Sequence, residues 1–184
     1  MHIRPATTAD VAGIARVHVD SWRTTYKGIL PEDYLATLTY DRRESLWRKI
    51  CARPVGHRLV YVAEETPGDI VGFASGGPER RGDPVYTGEV YALYLLQRWQ
   101  GQGIGRQLTM TLVRQLIERG LTSLLIWVLA DNPSRRFYEA LGGRLVRHKL
   151  ETTGGVQLFE VAYGWLDSQT IIDAQVRPLR RPGA

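Results

Sequence analysis

The hydrophobic pattern switches between a helical period and a period of two, and the switches mark out the elements. A short strand is expected at His2–Arg4. Thr7 and Asp10 follow three apart, the spacing of a capping box with aspartate in place of glutamate. Val11, Ile14, Ala15, Val17, His18 and Trp22 then recur at helical spacing, and Gly28 stops that helix. Pro31-Glu32-Asp33-Tyr34 begins a short second helix with proline at its first position, and Asp41–Ala52 reads as a third. Arg58–Glu65 and Asp69–Gly76 form a hairpin across the turn Thr66-Pro67-Gly68.

Tyr86–Leu96 is a long strand that runs into a glycine-rich turn and an amphipathic helix, Gly103–Arg119, with Ile104, Leu108, Leu112, Leu116 and Ile117 on one face. Ser123–Ala130 is nearly all apolar, as a buried strand is. Pro133–Leu141 reads as a helix ended by Gly142-Gly143, and Arg144–Thr152 and Val156–Trp165 close the chain as a second hairpin. Hairpins at both ends and a strand–helix–strand crossover between them predict a single α/β domain over 1–167. Its sheet is mixed and mostly antiparallel, with about seven strands. Residues 168–184 are expected to form a loose tail with at most one short helix.

Composition narrows the function classes. The 184 residues suit one domain, with 43% hydrophobic and 23% charged residues. No apolar run is long enough to span a membrane, and the first residues do not look like a secretory leader, so no membrane association is expected. The lone Cys51 cannot form an internal disulfide and suits a reducing cytoplasm. The net charge is +5, but Arg177, Arg180 and Arg181 in the tail account for part of it. A mildly basic domain suits an anionic cofactor better than nucleic acid, and no alternation of basic and aromatic residues suggests a nucleic-acid partner. His2, His18, His57 and His148 show no metal-ligand spacing, so no metal is expected.

The segment Gln100-Gly101-Gln102-Gly103-Ile104-Gly105-Arg106 carries the chemistry. A glycine-rich turn between strand and helix offers backbone N–H groups to an anion, usually a phosphate. It is not a P-loop, because Gly105 is followed by Arg106-Gln107 instead of Lys-Ser or Lys-Thr. Nor is it a dinucleotide fingerprint, because Arg106 or Leu108 falls where the third glycine belongs.

The pattern Gln100-x-x-Gly103-x-Gly105, placed after Tyr91-Ala92-Leu93-Tyr94-Leu95, resembles the coenzyme A signature of the Gcn5-related N-acetyltransferases. The resemblance extends over about residues 1–166 and includes Ile3-Arg4-Pro5-Ala6-Thr7 and Phe137-Tyr138-Glu139-Ala140-Leu141-Gly142-Gly143. The N-terminal half, with S-W-R-x-x-Y-x-G, looks like a bacterial branch. The resemblance implies that acetyl-CoA is the co-substrate. It further implies that Gly101 to Arg106 hold the pyrophosphate, and that Leu93, Tyr94 and Leu95 pair with the pantetheine arm along a bulged strand splayed from its neighbour. For Arg106 a solvated helix position is an equal alternative.

Acetyl transfer to an amine needs a base, a polarised carbonyl and a proton for the leaving thiolate. Glu89 interrupts an apolar strand eleven residues before Gln100, where the resemblance places a general base. By period two it shares a face with Tyr91, Leu93 and Leu95. An ion-paired strand glutamate is its bland alternative. Tyr138 matches the family's proton donor to sulfur, with packing beside Phe137 as the alternative, and the backbone N–H of Leu95 is the expected carbonyl donor. Asn132 departs from the pattern, standing six residues before Tyr138 where the family has seven. It contacts coenzyme A or caps the helix beginning at Pro133.

For the acceptor the resemblance implicates Trp22, Tyr26 and Tyr34, the loop Glu79–Pro84, and His148, Glu151 and Glu160, with core packing or plain exposure as the alternative for each. The acceptor is expected to be a small molecule or a peptide amine. Homodimers are common in the family. Two other functions compete: a non-catalytic acyl-CoA sensor or interaction module, which would need neither Glu89 nor Tyr138, and an enzyme modifying aminoacyl-tRNA, which predicts a more basic surface.

Overall fold

The computed structural model describes residues 1–52 and 58–173. It contains seven strands: β1 (His2–Pro5), β2 (Leu59–Glu64), β3 (Ile70–Pro78), β4 (Gly88–Leu95), β5 (Leu124–Leu129), β6 (Arg144–Thr153) and β7 (Val156–Trp165). Its helices are α1 (Val11–Thr25), α2 (Glu32–Ala36), α3 (Tyr40–Ala52), α4 (Ile104–Glu118), α5 (Arg135–Ala140) and α6 (Gln169–Asp173). The elements expected from periodicity are all present. A single 3-10 turn, Thr8–Asp10, precedes α1, and Asp10 Oδ2 accepts the Thr7 backbone N–H at 2.7 Å as the capping spacing requires. Arg4 clamps this entry to the sheet. Its guanidinium donates to both oxygens of Asp10 and both of Glu64, which holds each carboxyl down at about 2.

The strand order is β1-β2-β3-β4-β5-β7-β6. β4 and β5 pair in parallel because α4 carries the chain back across the sheet between them, while the other neighbours run antiparallel. On one face α1 and α3 bury Val11, Ile14, Val17 and Trp47 against Val62, Ile70 and Phe73. On the other face α4 buries Leu108, Leu112 and Leu116 against Ala74, Val90 and Leu124. Residue 168, the expected start of the tail, is fully buried. Ser168 Oγ donates to the Thr122 carbonyl at 2.7 Å, and Ile171 of α6 sits in the α4 core. Residues 174–184 lie outside the described residues.

Two irregularities in β4 shape the centre of the molecule. Ser75 pairs with Ala92 and Gly76 with Val90, so Tyr91 is an extra residue on β4. Such a bulge bends the strand and interrupts its period of two. This corrects the face expected for Glu89. It lines a wall with Tyr91 and Tyr94, whereas Leu93 and Leu95 pack toward α4. The second irregularity is the β4–β5 ladder, which holds only for Gly88↔Leu124, Glu89↔Leu125 and Val90↔Ile126. Beyond Val90 the two strands part.

Candidate active site

The parted strands open a cavity of about 490 Å³, floored by Tyr91 to Leu95 of β4 and Ile126 to Val128 of β5. Within it β4 carries unpaired backbone. Consecutive N–H groups in a strand point to opposite edges. Leu96 N–H donates to Val71 on β3, so the N–H groups of Leu95 and Leu93 point toward the gap.

The glycine turn forms the cavity's end wall. Gly101 and Gly103 have φ of 73° and 80°, a left-handed backbone that glycine alone adopts at little cost. These two residues turn the chain so that α4 begins with its free N–H groups at the cavity. Gly105 is different: it is helical, and a Cβ there would meet only Phe137, at 3.9 Å, so neither conformation nor protein packing demands glycine. Gln100, Gly101, Gly103, Gly105 and Arg106 line the cavity. Gln100 Nε2 donates to the Leu95 carbonyl at 3.0 Å and ties the turn to β4. Gln102 instead donates to the Arg98 carbonyl at 2.9 Å, and the Ile104 side chain is in the core, so their side chains do not reach the cavity. Arg106 Nε is buried with no partner.

Tyr138 and Asn132 form the opposite lip. Tyr138 is 7% exposed, and burial, reinforced by Tyr94, pushes its phenol well above the usual tyrosine range. Asn132 Oδ1 accepts the Ser134 N–H at 2.8 Å, so it orders the start of α5 while its side chain still borders the cavity. The end of α1 and the residue after it add Ser21, Thr25 and Tyr26, of which the sequence had marked only Tyr26, for the acceptor. Ser21 is buried, and its Oγ has no partner.

A second pocket of about 280 Å³ lies beside the first and shares Tyr26, Tyr91, Tyr94, Trp127 and Val128 with it. Trp22 and Tyr26 both line it, as do Glu89, Glu151 and Glu160. Neither Tyr34 nor His148 does; Tyr34 packs against Gly154 in the β6–β7 turn. Glu89 is 2% exposed and held by Arg80, whose Nε donates to Oε2 at 3.0 Å and whose Nη2 donates to Oε1. The Arg80 guanidinium also lies 4.2 Å from the Tyr91 ring centroid. Lys149 Nζ bridges Glu160 and Glu151 at 2.7 and 3.0 Å, 4.6 Å from the Trp127 ring centroid. Lys149 and Trp127 carried no sequence motif. The signal was present for Lys149, since Lys149, Glu151 and Thr153 alternate along β6 and Lys149 stands opposite Glu160. Among the described residues, no three His, Cys, Asp or Glu side chains converge as metal ligands would.

Known proteins resemble this chain in sequence and fold. The model of the acetyltransferase (GNAT) family matches residues 14–143. The uncharacterized N-acetyltransferase YuaI of Bacillus subtilis is 42% identical over 165 residues, covering 90% of this chain and 92% of that protein. The structure of yncA from Salmonella typhimurium, solved with its cofactor acetyl-CoA, superposes with a TM-score of 0.67 at 26% identity, over 91% of this chain and 94% of that one. Ribosomal-protein-alanine N-acetyltransferase from Brucella melitensis has the same fold, with a TM-score of 0.70 at 24% identity over 90% and 99% of the two chains. The chain therefore belongs to the acetyltransferase (GNAT) family and is an acyl-CoA-dependent N-acetyltransferase.

Proposed function

We propose that the protein moves the acetyl group of acetyl-CoA to the primary amine of a small acceptor, with the cofactor in the larger cavity and the acceptor in the smaller. The observation that carries this reading is the meeting of the two pockets at one shared wall, where the β4–β5 ladder ends. The residues present fit acetyl-CoA. The N–H groups at the start of α4, Gly101 and Gly103 suit a pyrophosphate, and the unpartnered Arg106 Nε adds a donor at the same wall. The free edge at Leu93 to Leu95 suits the amide-bearing pantetheine arm. Gln100 and Asn132 border this path, while Gln102 and Ile104 can contribute only backbone.

The reaction forms an N–C bond as the C–S bond breaks, and one proton leaves the amine while another reaches sulfur. Leu95 N–H stabilises charge on the carbonyl oxygen. Glu89, paired with Arg80, takes the amine proton through a water, since each of its oxygens retains acceptor capacity beside the guanidinium. Tyr138, held protonated by burial, gives its proton to the departing sulfur.

Free-thiol release from acetyl-CoA against a panel of amines tests the reading. Amine-dependent release that falls at least about tenfold in Glu89→Gln or Tyr138→Phe is the expected result. Binding of acetyl-CoA without release from any amine would instead favour an acyl-CoA sensor on the same fold.

A further inference from the structure

The smaller pocket holds charges of both signs in a definite order of depth. Glu89 is 3% exposed at its side chain, Lys149 18%, Glu160 22% and Glu151 41%, while Arg80 and Arg81 reach 52% and 60%. Glu89, Lys149 and Glu160 are the least exposed of these groups, the Arg80 head lies on Glu89 beside Tyr91, and Arg81 is the most exposed. Five of the six charged groups have partners at hydrogen-bonding distance inside the pocket. Arg81 does not. Its guanidinium has one contact, 3.6 Å from Glu151, while its backbone N–H is fixed by the Glu79 carboxylate at 2.8 Å. A planar fork of donors thus stands at the mouth, with its backbone anchored and its side chain held, among the described residues, only by the long ion pair to Glu151.

An acceptor that is only cationic would meet Arg81 first. One that is only apolar would desolvate paired charges for no return. A molecule with an ammonium at one end and an anion at the other suits the acceptor capacity left on Glu89 and the donors left on Arg81. Its amine would pass beside Trp22 and Tyr26, whose rings pack edge to face at 4.8 Å between centroids, and its anion would dock on the Arg81 fork. The volume lies just below the usual range of about 300–1,000 Å³ for ligand sites, which suits a metabolite better than a peptide segment.

We infer that the acceptor is a small zwitterion, a primary amine bearing a carboxylate or a comparable oxyanion, which enters amine first and is held at the pocket mouth by Arg81. This rests on the acetyl-transfer reading above.

The test uses matched acceptors that differ only in the anion: α-amino acids with their amides, and aminoalkyl phosphonates with their neutral diesters, each read by thiol release. The amides are a stringent control, because their amines lose a proton more readily. The anionic member should have the higher kcat/KM by at least about tenfold, the worth of one charge-assisted contact. Arg81→Ala should raise its KM by a similar factor with kcat nearly kept, Arg81→Lys should recover part of the loss, and acetyl-CoA affinity should not change. Amides or simple diamines acetylated as well as the anionic amines would overturn the inference and leave acetyl transfer standing. Should no amine release thiol, the pocket can still be read by fluorescence of Trp22 and Trp127. Saturable quenching by the zwitterions, lost in Arg81→Ala, would support the site while acetyl transfer fails, and no quenching would end both.

Discussion

The two cavities differ in what they are made of. The larger is walled by backbone: a free strand edge, two left-handed glycines and the first turn of a helix. The smaller is walled by side chains from α1, β4, β5, β6, β7 and the loop after β3, held by ion pairs spanning up to 70 positions in sequence.

 

The Arg81–Glu151 separation is 70 residues, and no local pattern links the two. A backbone site recognises groups common to every acyl-CoA. A side-chain site can be rebuilt residue by residue for a particular acceptor without disturbing the fold.

The sharpest way to break this comparison is Tyr138→Phe, at the lip of the backbone site and, in the proposed mechanism, the proton donor to sulfur. Turnover should fall on the order of a hundredfold while acetyl-CoA affinity stays put, as read by steady-state rates beside calorimetric titration. Equal loss of affinity would mean that Tyr138 packs against the cofactor and does no more.

Gly103 and Gly105 separate the two uses of glycine in the larger cavity. Gly103→Ala forces a side chain into a left-handed backbone, which should cost about 1–2 kcal/mol of stability and weaken acetyl-CoA binding as well. Gly105→Ala meets no conflict in the protein and should hold or slightly raise the melting temperature, so that its effect appears only in acetyl-CoA affinity. Unchanged affinity in Gly105→Ala would show that the ligand does not approach there.

The remaining test concerns the wall that both pockets share. His18 stacks on Tyr94 at 5.0 Å between centroids, and its Nδ1 accepts the Trp47 indole N–H at 3.0 Å. Burial, with Arg43 adding to it, lowers its pKa from 6.5 to about 3. The unfolded chain therefore takes up a proton below 6.5 that the folded chain refuses until about 3. Stability is full above that window and falls as pH drops through it, by at most about 1.4 kcal/mol per pH unit. Urea unfolding between pH 4.5 and 6.5 avoids most of the titration of the Arg4 carboxylates, and His18→Asn should flatten the slope there. An unchanged slope would place the acid sensitivity elsewhere.

Much of this was legible before the fold. The strands and helices were, because their periods are local, and so was the glycine turn, because φ at Gly101 and Gly103 is a property of those residues. The face of Glu89 was not. The bulge at Tyr91 depends on how β3 and β4 register, and period two carries no mark of an inserted residue. Gln102 and Ile104 fall at the unspecified positions of the signature, and the Gln102 side chain turns to the Arg98 carbonyl while that of Ile104 enters the core.

The sequence alone determined that a strand must end in a left-handed turn and restart as a helix with its N–H groups exposed, since steric limits on φ and the helical hydrogen-bond pattern act within a few residues. Only the tertiary structure decided that β5 leaves β4 after Val90, and that Arg80, Lys149 and Glu160 arrive at the same pocket. Those outcomes depend on packing between segments far apart in the chain, where the burial of α1, α4 and the two hairpins on one sheet sets which side chains meet.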